Sequence, residues 1–178
     1  MNKIVKLTVV LFLVCAIVAG VLGGVNLITK DKIAEQDRIK TAKAYSAVLE
    51  ASDYTDVDYD QATFTTIDRI VKADDKGYVV TTTFSGAQGS ITMAVGVDTD
   101  MKCTGISIIS HTETAGLGAT AAADTDAGRA FRDQFVGMSG SGSLVVGKNV
   151  IAVSGATVST KGITMGANAA LAAVEALG

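Results

Sequence analysis

Residues 67–84, IDRIVKA-DDKG-YVVTTTF, decide the fold. Two runs rich in β-branched and aromatic residues flank Asp74-Asp75-Lys76-Gly77, a polar segment ending in glycine. Such a pattern predicts a strand, a tight turn and a second strand over Ile67–Ala73 and Tyr78–Phe84. The motif then repeats downstream. Ser90–Val97, Asp98-Thr99-Asp100 and Cys103–Ser110 form a second predicted hairpin, with Ile106, Ile108 and Ser110 on one face. Gly86 and Gly89 separate the two units.

Toward the C-terminus the period changes. A loop rich in small residues, 111–126, leads to a predicted helix over Ala127–Phe135, where Ala130, Phe131 and Phe135 share a side. Gly137–Gly142 is a Ser/Gly connector. Short strands are predicted over Ser143–Val146 and Asn149–Val153, followed by an apolar helix over Thr160–Leu177 patterned by Ile163, Leu171, Val174 and Leu177. Antiparallel hairpins with segregated helices define an α+β domain.

The N-terminal end has a different physical character. No charge occurs from Leu7 to Thr29, and Lys6 and Lys30 bracket the run. About 23 residues at about 1.5 Å each reach about 35 Å, enough to cross a hydrocarbon core of about 30 Å with some tilt. A cleaved signal peptide is the rival reading, but its apolar region is usually much shorter. A retained single transmembrane helix is therefore expected, with lipid as its surroundings. Lysines and arginines lie on both sides of the span, so charge alone leaves its orientation open. Residues 31–50 continue as a helix with Ile39, Ala42, Tyr45 and Leu49 at three- and four-residue spacing. Residues 51–64, with Asp53, Asp56, Asp58 and Asp60, read as an exposed linker, because the spacing, central glycine and closing glutamate of a calcium loop are absent. The expected organisation is an anchor over 1–29, a helix and linker over 30–64, and a folded domain over 65–178.

Composition excludes several functions. A formal net charge of -3 and a pI of about 5.0 give no basic surface for nucleic acid. Two cysteines, Cys15 in the apolar run and Cys103 in the distal domain, predict no disulfide, and with His111 as the single histidine no metal site is expected. No hydrolase triad, phosphate-binding Walker loop or dinucleotide-binding glycine turn is present. No residue stands out as a general acid or base.

Two segments have the chemistry to hold a ligand. In Asn149–Gly162 (NVIAVSGATVSTKG) an apolar run ends at Ser154-Gly155 and a helix opens within a few residues. A helix start presents unpaired N–H groups and the positive end of a dipole, which suits phosphate. Ser154, Thr157, Ser159 and Thr160 supply hydroxyls and Lys161 a compact positive charge. On local chemistry alone an ordinary capped helix explains the same residues. The second segment, His111–Gly118 (HTETAGLG), is a glycine loop able to approach a planar ligand, with Glu113 placed to orient nearby donors.

Together these two motifs resemble a known family. Ser154-Gly155-Ala156-Thr157 resembles the covalent-flavin motif of FMN-binding domains. HTETAGLG at 111–118 resembles the His-x-Glu-Thr-Pro-Gly-Leu-Gly loop of the G subunit of the Rnf complex, and of the related C subunit of the sodium-pumping NADH:quinone reductase. The likeness runs from about Tyr78 to the C-terminus, and the short chain and the wording of the loop favour Rnf.

The resemblance implies an extracytoplasmic FMN-binding domain on a single-pass helix of the cytoplasmic membrane. FMN would be joined through its phosphate to Thr157 by a dedicated flavin transferase. Ser154, Gly155, Ala156, Val158, Ser159, Thr160 and Lys161 would surround the phosphate end, and Glu113, Thr114, Leu117 and Gly118 would lie against the ring. It further implies an electron-carrying role beside other integral and peripheral redox subunits of an ion-translocating ferredoxin:NAD oxidoreductase. Two other roles share its fold: an extracellular flavin carrier, or the reductase-type subunit. An unflavinylated structural or assembly subunit belongs to another class. Two departures from the family pattern are Ala115 in place of proline and Ile151 where many members carry aspartate. The apolar span predicts that the chain stays with membranes through high-salt and alkaline carbonate washes and is released by detergent; release by carbonate would contradict a retained span.

Overall fold

A computed structural model describes residues 3–114 and 119–177. Two compact units divide the chain, Met1–Lys40 and Thr41–Gly178. The first consists of most of helix α1, which runs over Lys3–Val48. Every residue from 3 to 28 is exposed, including Leu7, Phe12 and Leu22, and the best window has a mean hydropathy of 2.8. One helix is therefore long and apolar enough to cross a membrane.

In the second unit both predicted hairpins form, but within a single sheet. Its strands are β1 (Tyr54–Asp56), β2 (Ile67–Ala73), β3 (Gly77–Ser85), β4 (Ser90–Asp98) and β5 (Cys103–His111). They lie in the order β1-β2-β3-β4-β5, each antiparallel to the next. Gly86 and Gly89 do not separate two hairpins: they sit in the turn that joins β3 to β4, closed by Gly86 N–H donating to Gly89 O at 2.7 Å. Asp74 adopts a positive φ of 47° in the β2–β3 turn, a conformation aspartate tolerates. Its carboxylate accepts the N–H groups of Ser52 (2.7 Å) and Asp53 (3.1 Å).

Both faces of the sheet are covered. Ile70, Val80, Met93, Val95, Val97 and Ile106 point to one side, where they meet Phe131, Phe135, Ile163, Leu171 and Val174. Val71, Ala73, Val79 and Ala94 point to the other, against Ala44, Tyr45 and Val48 at the end of α1. Neighbours such as Val79 and Val80 are thus both fully buried, which explains why the central strands lack a strict alternation of apolar and polar residues. The buried stripe of α1 is Ala44, Tyr45 and Val48 rather than the expected series beginning at Ile39, which is exposed. The Tyr45 hydroxyl bonds the Thr81 hydroxyl across the interface at 2.7 Å, and Thr104 Oγ1 donates to Val48 O at 2.5 Å.

Helices α2 (Ala119–Ala122), α3 (Asp126–Asp133) and α4 (Thr157–Glu175) complete the domain. Several expectations need correction. The linker over 51–64 contains β1, a strand too short to leave a periodic signal; Asp56 on it pairs with Arg69 at 2.5 Å, and that guanidinium holds the Asp56 carboxyl below its ordinary range. Ala130 is exposed, and the buried face of α3 is Gly128, Phe131 and Arg132. Ile106 and Ile108 face the helices but Ser110 does not, because a register shift intervenes in β5.

Ser143–Val146 and Asn149–Val153 form no strands; one parallel bridge joins Val146 to Val150. Side-chain amides take the place of neighbouring strands there. Gln134 accepts from Ile151 N–H (2.8 Å) and donates to Ile151 O (3.2 Å), and Asn168 brackets Leu144 in the same way. Helix α4 begins at Thr157, three residues earlier than its apolar pattern suggests.

Two outcomes are expected in solution. Tyr45→Phe leaves the buried Thr81 hydroxyl without its partner and lowers unfolding free energy by about 1–3 kcal/mol, read as a lower denaturant midpoint at unchanged slope. Burial, at 1% exposure, pushes the Cys103 thiol up from 9.0 to about 11. The folded state therefore holds the proton while the unfolded thiol loses it, so this group's contribution to stability falls as pH rises from 9 toward 11. A thiol reagent at neutral pH should leave Cys103 unmodified until the chain unfolds; rapid labelling of the native protein would contradict this burial.

Candidate functional site

The site begins with the way α4 lies on the sheet. Gly162 and Gly166, one turn apart, leave room for the Phe84 ring: a Cβ on Gly162 would come within 2.7 Å of Phe84 Cδ2 and Cε2 and 3.1 Å of Ser85 O. On Gly166 it would come within 2.6 Å of Met93 Cε and 3.0 Å of Phe84 Cδ1. The helix is thereby seated against the C-terminal end of β3, where Gly162 meets Phe84 and Ser85.

The first turn of α4 matches what an anion requires. Thr157 is the first helical residue and is exposed, with no hydrogen bond to its hydroxyl among the described residues. Ala156 at the N-cap has no side chain able to cap, so the leading N–H groups of the 19-residue helix have no side-chain acceptor. Gly155 takes a φ of 79°, the left-handed region, in the turn that delivers Ala156 to the cap position. Ser159 in the same turn is 0% exposed, and its Oγ has no partner. Thr160 is also buried, but its hydroxyl is used within the fold, donating to Ala156 O (2.8 Å) and accepting from Val153 N–H (3.3 Å). Ser154, Val158 and Lys161 are exposed around the turn.

The predicted glycine loop arrives from the other side. Glu113 is 8% exposed; its Oε1 accepts from Gln88 N–H at 3.4 Å, while Oε2 is buried without a partner among the described residues. A Cβ on Gly86 would overlap Glu113 Oε1, and one on Gly89 would overlap Thr112 Oγ1, so both turn glycines are needed for this approach. The Thr114 hydroxyl bonds Gln88 Oε1. Residues 84–86 are thus the seam of the site, with Gly162 of α4 against Phe84 and Ser85, and Glu113 against Gly86. Leu117 and Gly118, with Ala115, lie outside the described residues. His111 stands at the end of β5 with a buried Nδ1 that also lacks a partner.

Along the outer side of α4 runs a cavity of about 250 Å³, lined by Leu144, Val145, Val146, Lys161, Thr164, Met165 and Asn168. Met165 and Val158 on α4 and Ile151 (77% exposed) in the segment before it are exposed apolar side chains. Sequence reasoning passed over this recess, because Ser143–Val146 read as a strand. Among the described residues no group of three or more His, Cys, Asp or Glu is placed to hold a metal ion. An exposed hydroxyl, uncapped N–H groups, an unpartnered buried serine and nearby apolar surface fit a phosphate-bearing aromatic cofactor.

Comparison with known proteins gives this arrangement a class. The FMN-binding domain family matches residues 86–172, which contain both motifs. The RnfG N-terminal region matches residues 1–48, the length of α1. The chain is thus a single-pass membrane protein with an α+β FMN-binding domain.

It belongs to the family of G subunits of Rnf complexes. One relative is the G subunit of the proton-translocating ferredoxin:NAD(+) oxidoreductase complex of Clostridium ljungdahlii, 37% identical over 111 residues, 60% of this chain and 52% of the relative. Another is the G subunit of the Na(+)-translocating ferredoxin:NAD(+) oxidoreductase complex of Acetobacterium woodii, 29% identical over 191 residues, 92% of this chain and 87% of the relative. The G subunit of the ion-translocating oxidoreductase complex of Methanosarcina acetivorans is 34% identical over 103 residues, 56% of this chain and 52% of the relative. The chain thus spans about half the length of two of these relatives and most of the third.

Proposed function

We propose that this chain is an electron-carrying subunit of a membrane-bound, ion-translocating ferredoxin:NAD oxidoreductase, with FMN joined through its phosphate to Thr157. The single observation that carries the site is the start of α4: an exposed, unpartnered hydroxyl on the first residue of an uncapped helix, inside the matched FMN-binding domain. The names of the relatives support the assembly and its reaction. On this reading the chain divides into an anchor over 1–29, a helix and linker over 30–64, and an FMN-binding domain over 65–178. The domain lies on the extracytoplasmic side, and the partners are the other integral and peripheral redox subunits, a flavin transferase and membrane lipid.

Each residue has a stated task. Thr157 Oγ loses its proton and gains a bond to phosphorus as the P–O bond to the leaving group of an activated flavin nucleotide breaks and that group departs with the proton, so the product is the chain plus FMN less one water. A threonine hydroxyl is a weak nucleophile at neutral pH, which is why a transferase is required. The N–H groups of the first turn, Ser159 Oγ and the Lys161 ammonium hold the phosphate; Ser154, Gly155, Ala156, Val158 and Thr160 shape the turn around it. Glu113, Thr114, Leu117 and Gly118 take the ring end, with the unpartnered Glu113 Oε2 available to accept from it. FMN supplies the redox chemistry when bound, and the chain sets its position, burial and nearby donors. A permanent tether also keeps the carrier from diffusing away and raises its effective concentration near partner centres.

Protein isolated from its own membranes should show an intact mass equal to the chain plus FMN less water, and flavin absorbance that survives denaturation. Thr157→Ala should lose both while keeping the fold, and Thr157→Ser, which retains a hydroxyl, should keep measurable modification. An unmodified mass from native membranes would leave the structural or assembly role in its place. Co-purification with integral redox subunits supports the Rnf-type assembly, and isolation as a free flavoprotein would favour the carrier role.

A further inference from the structure

One buried charge in the domain has no part in the site as described. Arg132 on α3 is 9% exposed, and burial, which lowers its affinity for a proton, is opposed by Asp124 and Asp133. Its Nη1 is directed at the end of α2, donating to Ala121 O (3.1 Å), Ala122 O (3.4 Å) and Ala123 O (3.1 Å). Those are the carbonyls that a helix end leaves without intrahelical donors. A helix of four residues cannot hold itself together in water, so its position depends on what grips it.

Three other contacts carry that grip to Glu113 and Thr114. Gly128 lets α3 approach: a Cβ there would overlap Ala123 O and come within 2.9 Å of Thr120 O and 3.2 Å of Arg132 Nη1. Ala119, the first residue of α2, donates its N–H to Thr114 O at 3.4 Å, which ties together the two ends of the 114–119 segment. Thr114 in turn bonds the Gln88 side chain on the β3–β4 turn, beside Glu113. Helix α2 also packs on α4 and β5, the two elements the loop must bridge.

We infer that Arg132 is the positioning residue of the Glu113–Thr114 segment: by gripping the Ala121–Ala123 carbonyls it fixes α2, and through Ala119 N–H and Thr114 O it sets where Glu113 and Thr114 lie. The geometry of the grip stands on α2 and α3 alone, and its bearing on flavin rests on the Thr157 reading above. Lysine replaces this grip poorly, because a compact ammonium on a flexible stem lacks the preorganised planar fork. Methionine keeps the buried stem and removes every donor.

The test uses the full-length protein in its membrane, as wild type, Arg132→Lys, Arg132→Met and Gly128→Ala. Amide hydrogen exchange is followed for 112–123 and, as reference, for β3 and β4; visible circular dichroism reports the asymmetry of bound flavin. A local grip predicts exchange over 112–123 faster by about tenfold or more in Arg132→Met, with the reference strands changed far less. The Lys variant should be intermediate and the Gly128→Ala variant similar in kind. Covalent flavin should remain in all of them, with weaker circular dichroism in the order wild type, Lys, Met. Uniform acceleration across 112–123 and the strands, or no selective change in any variant, overturns the inference. Should Arg132→Met fail to fold, Arg132→Lys decides, and exchange indistinguishable from wild type in that variant overturns it. Wild-type protein without flavin refutes the Thr157 reading, and the exchange measurement still judges the grip. Selective loosening with unchanged circular dichroism overturns the link to flavin.

Discussion

Helix α4 comes close to the sheet because it has no side chains at Gly162 and Gly166. Each interior glycine costs about 0.5–1 kcal/mol relative to alanine in a helix. What that cost secures is the seat of Phe84, whose ring occupies the space two Cβ atoms would fill. With this depth set, Ile163, Leu171 and Val174 reach the sheet face and are fully buried or nearly so. Gly162, in the second turn of the helix that Thr157 opens, is thereby held against Phe84 and Ser85 at the end of β3. An α4 held further out would lose both the core contacts and this approach to Phe84.

The opposite face depends on the end of α1. Tyr45 and Val48 cover Val71, Val79 and Ala94, so residues just beyond the expected span belong to the folded domain. Both faces of an antiparallel sheet are therefore dry, an arrangement more familiar in parallel sheets flanked by helices. Alternating in-and-out residues are replaced in β3 and β4 by runs of consecutive buried residues, Val79–Thr82 and Met93–Val97. The Tyr45–Thr81 hydrogen bond and the one from Thr104 Oγ1 to Val48 O give this packing specific polar contacts in a mostly apolar interface.

Polar groups left without partners in the interior are informative in their placement. Ser159 Oγ lies in the first turn of α4, Glu113 Oε2 beside the β3–β4 turn, and His111 Nδ1 two residues before Glu113. Native proteins rarely leave such atoms unpaired, and a functional site is where they do so. Exposed Val158, Met165 and Ile151 add the complementary departure, apolar surface left in water on α4 and in the segment before it. Both departures fall where the FMN-binding family match and the two motifs coincide.

Much of this protein is legible in its amino-acid sequence. The uncharged run over Leu7–Thr29, the four strands between Ile67 and His111 and the C-terminal helix all follow from short-range patterns, because hydropathy and period are properties of neighbouring residues. The motifs at 111–118 and 154–157 are legible too, as chemistry rather than geometry. Other features are decided by tertiary contacts. The strand β1 exists because β2 offers it an edge, and Asn149–Val153 is no strand because Gln134 supplies to Ile151 what a neighbouring strand would. Likewise the apolar pattern of α4 is silent about its first turn, where Thr157, Ser159 and Thr160 carry hydroxyls rather than apolar side chains. The approach of Gly162 to Phe84, the approach of Glu113 to Gly86, and the grip of Arg132 on α2 are contacts between distant parts of the chain. Local sequence sets which elements form; only packing of one element on another decides which atoms meet, since that depends on residues far away along the chain.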